Sequence, residues 1–461
     1  MNEHDSARIE AMLVAEGMVN SGENIIPEVY VINTCCVREN ADNKLYGHLG
    51  NLKVVKEENP NVKIVVTGCL AQKDGFKVRE RAPFVDIVVG THNVHKIPVH
   101  LNSLKSTGPI TEIIEPDEAE ETVFLSDFSE PLIKSFSSFL TIQQGCNNSC
   151  GFCIVPKVRG KEVSREIDDI VKEVEQLARK GVKEVVLLGQ NVNSYGRDLS
   201  LKMREKDELV RIKPLFAQLL RKVGSISGIK RVRFTSPHPK DLRAETVLAI
   251  AETKSVCEQL HLPVQSGSDR VLSAMRRGYS VDKYLERLNF ARHEIEDLAV
   301  TTDIIVGYPG EREEDFAQTL DLMTEAKFDS AYTFIFSPRD GTLASEQKSD
   351  FVDPDTCAQR MERLRVVVER FARIKNKARV GKLEEIMVIG PSKKDKGVLT
   401  GRTRQGKLVH FEVHPDKLML YGSGSELIVE ITSSSTHYLR GTVLEELDIV
   451  SNQNLSVVAG S

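Results

Sequence analysis

The sequence predicts an α/β protein in three parts: an N-terminal open parallel α/β sheet, a central partial (β/α)6 barrel and a small C-terminal β-barrel. Three observations carry this reading. Short apolar runs alternate with amphipathic stretches as far as about residue 378, the pattern of parallel strands covered by helices. Beyond that point the runs become short, closely spaced and punctuated by glycine, as in a small barrel of oligonucleotide-binding type. Between Lys105 and Lys134 there is no basic residue, while Glu112, Glu115, Asp117, Glu118, Glu120, Glu121, Asp127 and Glu130 accumulate, which reads as a solvated connector.

Taken in order, residues 5–18 form an amphipathic helix with Ile9, Met12, Leu13 and Ala15 on one side. Apolar runs at 29–32, 63–67 and 85–89 are strands, separated by helical stretches around 43–57 and 73–81. Ligands of such a sheet sit beyond the carboxyl ends of its strands. Cys35 and Cys36 follow the first strand and Cys69 the second, so all three fall on one rim. From 135 to 378 the alternation resumes with strand candidates at 139–143, 184–188, 231–235, 259–264, 300–306 and 330–336, and helices such as 167–179 and 281–295. A partial barrel also places its site at the strand carboxyl ends. Gly189-Gln190-Asn191, Ser236-Pro237-His238-Pro239, Gln265-Ser266-Gly267-Ser268 and Gly307-Tyr308-Pro309-Gly310 all fall there. After a helix over 356–377, strands at 383–388, 397–401, 408–411, 427–431 and 438–443 make the last barrel. Lys393, Lys394, Lys396, Arg402, Arg404, Lys407 and Arg440 supply it with positive charge for phosphates. The expected segments are thus 1–104, the connector 105–134, the core 135–378, the small barrel 379–446 and a frayed polar tail 447–461.

Bulk properties narrow the class. With 461 residues, 40% apolar and 28% charged, the chain is a soluble globular protein of more than one domain. No stretch is apolar enough to span a bilayer, and Met1-Asn2-Glu3-His4-Asp5 opens no secretory signal. Eight cysteines are too sparse for a disulfide scaffold and point to metal ligation in a reducing cytoplasm. A net charge of −5 leaves any RNA contact to local basic surface.

The most informative run is Gln144-Gly145-Cys146-Asn147-Asn148-Ser149-Cys150-Gly151-Phe152-Cys153, directly after an apolar strand. Three thiolates so spaced can hold three irons of a 4Fe-4S cubane and leave the fourth open, whereas structural zinc wants a closed shell of four ligands. This Cys-x3-Cys-x2-Cys spacing, with Phe152 before the last cysteine, resembles the radical S-adenosylmethionine (SAM) superfamily.

Within that superfamily the chain resembles the methylthiotransferase family, from residue 1 to about 445. The resemblance is carried by Asn33-Thr34-Cys35, Val37-Arg38-Glu39-Asn40-Ala41, Gly68-Cys69-Leu70-Ala71-Gln72, Gly145 through Pro156, and Arg159-Gly160-Lys161-Glu162. It continues in Leu188-Gly189-Gln190-Asn191-Val192-Asn193, Phe234-Thr235-Ser236-Pro237-His238-Pro239, 261–269 and 302–307. The C-terminal barrel is similar to a TRAM domain, the family's RNA-holding module. The Gly-Gln-Asn-Val-Asn and Thr-Ser-Pro-His-Pro segments favour the tRNA-modifying branch over the branch acting on a ribosomal protein side chain.

The resemblance implies radical SAM-dependent methylthiolation at C2 of an N6-isopentenyladenosine beside the tRNA anticodon. Two 4Fe-4S clusters are implied. Cys146, Cys150 and Cys153 hold the SAM-cleaving one, and Cys35 and Cys69 match two ligands of an auxiliary one that carries the sulfur. The family's third auxiliary cysteine stands in a Gly-Cys-Gln-Met-Asn stretch, of which Met1-Asn2 matches only the end; either the start is misassigned, with that ligand upstream of Met1, or the protein has lost a ligand, and the first is the expectation. Cleavage of SAM implies methionine and a 5′-deoxyadenosyl radical able to abstract hydrogen, the protein supplying orientation and exclusion of water.

SAM contacts are expected at Gln190, Ser236, Gln265 and Asp303, with Gly189, Gly267 and Gly307 letting backbone approach the ligand, although polar groups at strand ends also cap helices. Arg276 and Arg277 are candidates for tRNA phosphate or ribose, and His238 and His261 are read as ordinary hydrogen-bonding residues. Lys393, Lys394, Arg402, Arg404 and Arg440 are the expected RNA contacts of the barrel. The resemblance further implies tRNA and an electron donor such as flavodoxin or ferredoxin as partners, and the expectation is no membrane and a monomeric enzyme. A protein-directed methylthiotransferase and a zinc-stabilised RNA-binding protein without catalysis are the alternatives.

Overall fold

The computed structural model describes residues 1–22, 25–36, 39–116, 124, 135–209, 211–395, 397–413 and 420–446. Strands β1 (Val29–Thr34), β2 (Lys63–Gly68), β3 (Ile87–Val89) and β4 (Ile110–Glu112) form a parallel sheet in that order. Alternate residues of β2 and β3 feed two cores. Ile64, Val66 and Val88 pack towards Leu45, Leu49 and Leu70; Val65, Ile87 and Val89 pack towards Ile9, Met12 and Ile97. A sheet covered on both faces needs continuous apolar runs, which is why these strands lack polar alternation.

β4 comes from the acidic stretch read above as a connector. Ile110 packs on the second of those cores, and Glu112 pairs with Lys96 at 2.5 Å and His100 at 2.7 Å. A β-favouring Ile-Thr pair thus extends the sheet despite the surrounding carboxylates. Within that stretch, 117–123 and 125–134 lie outside the described residues, as do Lys396 and the tail 447–461.

The central part begins with β5 (Ser137–Thr141), followed by a short antiparallel pair, β6 (Gln143–Gln144) with β7 (Val163–Ser164). β5 then pairs in parallel with β8 (Glu184–Leu188), and β8 with β9 (Arg231–Phe234). A second parallel sheet runs β10 (Gln259–His261), β11 (Ala299–Val306), β12 (Ser330–Ile335). The two halves are stitched by Val232, whose N–H donates to the Ser255 carbonyl at 2.7 Å and whose carbonyl accepts from Cys257 at 3.0 Å. Six strands therefore curve into an open barrel. β10 is shorter than the 259–264 reading because Pro263 has no N–H to give the ladder. Leu140, Val185, Leu187, Val232, Leu260, Val300 and Ile304 point outward to the helices and form one core with Ile170, Val174, Phe216 and Phe316.

The C-terminal strands β13 (Leu383–Pro391), β14 (Val398–Thr403), β15 (Leu408–Glu412), β16 (Glu426–Ser434) and β17 (Leu439–Glu446) close a barrel in the order β13-β14-β15-β17-β16. Its β14–β15 turn is pressed against the strand starts of the central barrel. Arg231 Nη1 donates to the Arg402 carbonyl at 2.6 Å, and Arg233 Nη1 and Nη2 to the Arg404 and Thr403 carbonyls at 2.8 Å. Arg404 pairs with Glu258 at 2.7 Å and Lys407 with Asp329 at 2.8 Å. Arg404 and Lys407 are thus committed to the domain contact, which corrects their reading as free phosphate ligands. Arg402 is also drawn in: it is half-buried, with its Nη1 on the Gly406 carbonyl at 3.1 Å. A loop cation looks the same in sequence whether it meets solvent or a neighbouring domain.

The N-terminal domain docks through the helix Asn2–Ala15. Arg8 pairs with Glu173, which also takes Arg165 at 2.7 Å; Arg165 Nη1 donates to the Thr141 carbonyl at 3.0 Å, and Thr141 Oγ1 meets His4 Nδ1 at 2.9 Å. Among the described residues no helix is long and apolar enough to cross a membrane.

Candidate active site

The loop after β6 carries Cys146, Cys150 and Cys153, all free and partly accessible. Its path is fixed by backbone. Gly145 takes φ +75°, and a Cβ there would overlap the Lys161 carbonyl oxygen, so only glycine admits the chain. Cys146 N–H donates to the Gly160 carbonyl at 3.1 Å, Cys153 N–H to the Cys150 carbonyl at 3.1 Å, and Gly151 N–H to the Met275 carbonyl at 2.9 Å. The cysteines are thus strung between the 154–160 segment and the end of the helix Asp269–Ala274.

Burial pushes the Cys146 thiol up to about 12 and the Cys153 thiol up to about 11. Both stay protonated at neutral pH unless a metal displaces the proton. Cys150 faces two groups that sequence reasoning did not assign to it. Arg277 Nη1 donates to its Sγ at 3.3 Å, and His238 Nε2 lies 3.9 Å from the same sulfur. Arg277 is buried, with Nη2 on the Pro263 carbonyl at 3.0 Å, and does not present a cation to an external phosphate. Burial, with Arg277 and Lys240 adding to it, pushes His238 down to about 2, so its ring is neutral. Its backbone is clamped by Asn193, which donates to the His238 carbonyl at 2.9 Å and accepts from the His238 N–H at 2.8 Å. The Gly-Gln-Asn-Val-Asn segment therefore orients the residue beside Cys150.

The expected SAM-binding residues gather at the same strand ends, and two of them sit in unusual backbone. Ser236 has φ 60° and Gln265 φ 76°, left-handed values that cost a non-glycine residue about 1 kcal/mol or more. Gln265 is held there by its N–H on the Asp303 carbonyl and its own carbonyl on Ile305 N–H, each at 2.9 Å. The side-chain oxygens of Gln190 and Gln143 and the Asn148 amide nitrogen are buried without hydrogen-bond partners. Asp303 lies on the inner face of β11, its Oδ1 3.4 Å from His261 Nε2. Gly189 is buried, with Val192 Cγ1 3.1 Å and the Gln143 side chain 3.5 Å from where a Cβ would stand. Gly267 and Gly307 have a different reason from the one expected. A Cβ on Gly267 would stand 2.5 Å from the Gln318 carbonyl and one on Gly307 would overlap Cys357 Sγ, so both glycines admit the close approach of a helix.

The second cysteine site adjoins the first. β1 and β2 end in register at Thr34 and Gly68, which brings Cys35 and Cys69 off one rim side by side. Arg159 Nε donates to Cys69 Sγ at 3.3 Å while its Nη2 pairs with Asp5 at 2.6 Å. The next residue's carbonyl is the one that holds Cys146, so the dipeptide Arg159-Gly160 joins the two sites. Cys36 is buried with its thiol hydrogen-bonded to Cys69. That bond, then the Arg159 guanidinium, working against burial, hold the Cys69 thiol down to about 6. Neither Arg159 nor Arg277 carried a sequence signal beyond lying in a motif or beside one.

On the C-terminal barrel Lys393, Lys394 and Arg440 are exposed. Among the described residues no three His, Cys, Asp or Glu side chains converge as ligands of a single metal ion would. Cysteines that bind different irons of a cubane need not converge in that way.

The radical SAM superfamily matches residues 140–323, and uncharacterized protein family UPF0004 matches residues 1–90. The chain is 44% identical over 443 residues to the tRNA-2-methylthio-N(6)-dimethylallyladenosine synthase of Clostridium botulinum (strain Okra / Type B1), covering 96% of this chain and 94% of that one. It is 46% identical over 414 residues to the enzyme of the same name from Clostridium perfringens (strain SM101 / Type A), covering 89% of each. Among solved structures it is loosely similar to a radical SAM methyltransferase, TsrM, from Kitasatospora setae. That likeness has a TM-score of 0.47 and 13% identity, and covers 70% of this chain and 64% of that one.

Proposed function

Because the chain belongs to the tRNA-2-methylthio-N(6)-dimethylallyladenosine synthase family of radical SAM enzymes, we propose that it installs a methylthio group at C2 of an N6-isopentenylated adenosine beside the anticodon of tRNA. The observation that carries this is the adjacency of two cysteine sites across Arg159-Gly160, one on a three-thiol loop at the mouth of an open barrel. The soft donor set and the orphaned polar atoms of Gln190, Gln143 and Asn148 fit a metal cluster with a polar organic ligand beside it.

Cys146, Cys150 and Cys153 would hold a 4Fe-4S cluster, which when bound would supply the one-electron reductive chemistry that cleaves SAM. The chain's own residues do the rest. Arg277 donates to the Cys150 sulfur and stabilises its anionic form. Gln190, Ser236 and Gln265 hold SAM from the strand ends, the last two from strained backbone that the surrounding hydrogen bonds maintain. Cys35 and Cys69 furnish two ligands of an auxiliary cluster, with Arg159 donating to one of them. Lys393, Lys394 and Arg440 face solvent and meet RNA phosphates. The electron donor is a flavodoxin or ferredoxin, and the enzyme works as a cytoplasmic monomer.

The test is anaerobic reconstitution with iron and sulfide, then incubation with reductant, SAM and isopentenylated tRNA. Nucleoside mass spectrometry should show the 2-methylthio product, accompanied by 5′-deoxyadenosine. Reconstituted protein without bound iron and sulfide, or product from tRNA lacking the isopentenyl group alone, overturns this reading.

A further inference from the structure

The second half-sheet turns its apolar residues outward: Leu260, Val300, Ile304 and Val306 are fully buried against helices. The alternate positions face the barrel lumen. There His261 stands in register with Thr301, and Asp303 with Tyr332. In a parallel sheet these four side chains make one patch. His261 Nδ1 lies 2.9 Å from Thr301 Oγ1 and Nε2 3.4 Å from Asp303, and its ring meets Tyr332 edge-on at 5.8 Å between centroids. Yet Tyr332 is 58% exposed, and the His261 and Asp303 side chains keep 22% and 24% open.

The patch lies on the inner face of the open barrel. Tyr332 is three residues before the carboxyl end of β12, about 10 Å below the rim at the strand's rise per residue. Phe139 and Val186, in register on β5 and β8, present an apolar wall on the other half of the lumen. The β14–β15 turn closes the far end, so a group on Tyr332 enters from the cysteine side.

We propose that this patch seats the purine base of the RNA substrate. Tyr332 offers a ring for stacking, Asp303 accepts the exocyclic N–H, and His261 with Thr301 positions that carboxylate. An N6-alkyl tail then runs towards Phe139 and Val186. A base extruded from its loop is the substrate part thin enough to reach that depth, and aromatic stacking with edge hydrogen bonds is how proteins hold such bases. The inference rests on the RNA-modifying reading above and reassigns Asp303 from SAM to the base.

Fluorescence anisotropy with the full chain tests it. One probe is an anticodon stem-loop carrying isopentenyladenosine; the other has an abasic site at that position. Wild type should prefer the first by about tenfold, within the range of one stacked base. Tyr332→Ala should erase the preference and Tyr332→Phe should keep it, with melting curves confirming the fold of both. Asp303→Ala should lose discrimination between that probe and one carrying an N6-methyl-N6-isopentenyladenosine, which keeps the tail but has no N6–H to donate. A folded Tyr332→Ala that keeps the full preference, or a folded Asp303→Ala that still discriminates, overturns the subsite. Wild type that binds neither stem-loop overturns instead the RNA-modifying reading.

Discussion

At the scale of single residues, the site depends on where sulfur and backbone are held. Cys150 receives Arg277 on its sulfur and has the neutral His238 ring 3.9 Å away, and in the cluster-ligand role proposed for it the other two cysteines of its loop are already engaged. Cys150→Ala should therefore abolish SAM-dependent 5′-deoxyadenosine formation and bleach the visible absorbance of the loop's cluster, measured on anaerobically reconstituted protein. Gly145 is under a steric constraint. Gly145→Ala forces a side chain onto the Lys161 carbonyl at a left-handed φ, at a cost of about 1–3 kcal/mol. It should lower both the melting temperature and the iron bound per chain, whereas a purely local turn would show only the first effect.

At the scale of elements, the helix Asn2–Ala15 is a docking device. One face packs Ile9 and Met12 on its own sheet, and His4, Asp5 and Arg8 reach the central domain. Burial, then Arg8, push His4 from 6.5 down to about 3. The unfolded chain takes up a proton that the folded chain refuses. The stability tied to His4 is thus fully present above about pH 6.5 and is lost progressively as pH falls towards about 3. His4→Gln, which keeps a polar group for Thr141, should flatten the melting temperature's dependence on pH in that window; an unchanged slope would show that this helix does not set it. The periodicity of this helix was legible in the sequence, because apolar spacing is a property of neighbouring residues. Its polar partners were not, since His4 and Thr141 are 137 positions apart.

At the scale of the whole molecule, the N-terminal sheet, the central open barrel and the C-terminal closed barrel are joined by buried charge. Arg233 ties the floor of the central barrel to the C-terminal turn and neutralises Glu184 at 2.8 Å. Arg233→Met should cost about 3–5 kcal/mol, the usual penalty for stripping one partner from a buried pair, read as a lowered denaturation midpoint. Gly406, at φ +81°, fits against the Gln259 side chain, so Gly406→Val should loosen the same contact and open the lumen floor to proteolysis at the β14–β15 turn. By itself the sequence determined the alternation of strands and helices, the closure of a small β-barrel at the end, and the spacing of the three-cysteine loop. Each of these is written in spacings of a few residues, where covalent geometry and side-chain period act directly. Only the tertiary structure decided that Arg277 and Arg159 serve sulfur, that Arg404 serves a domain contact, and that Gly267 and Gly307 admit helices. Those roles join residues 127, 90 and 146 positions apart in the case of the arginines. Whether a charged or small side chain meets solvent, ligand or protein depends on which layers pack together, and no local pattern encodes that.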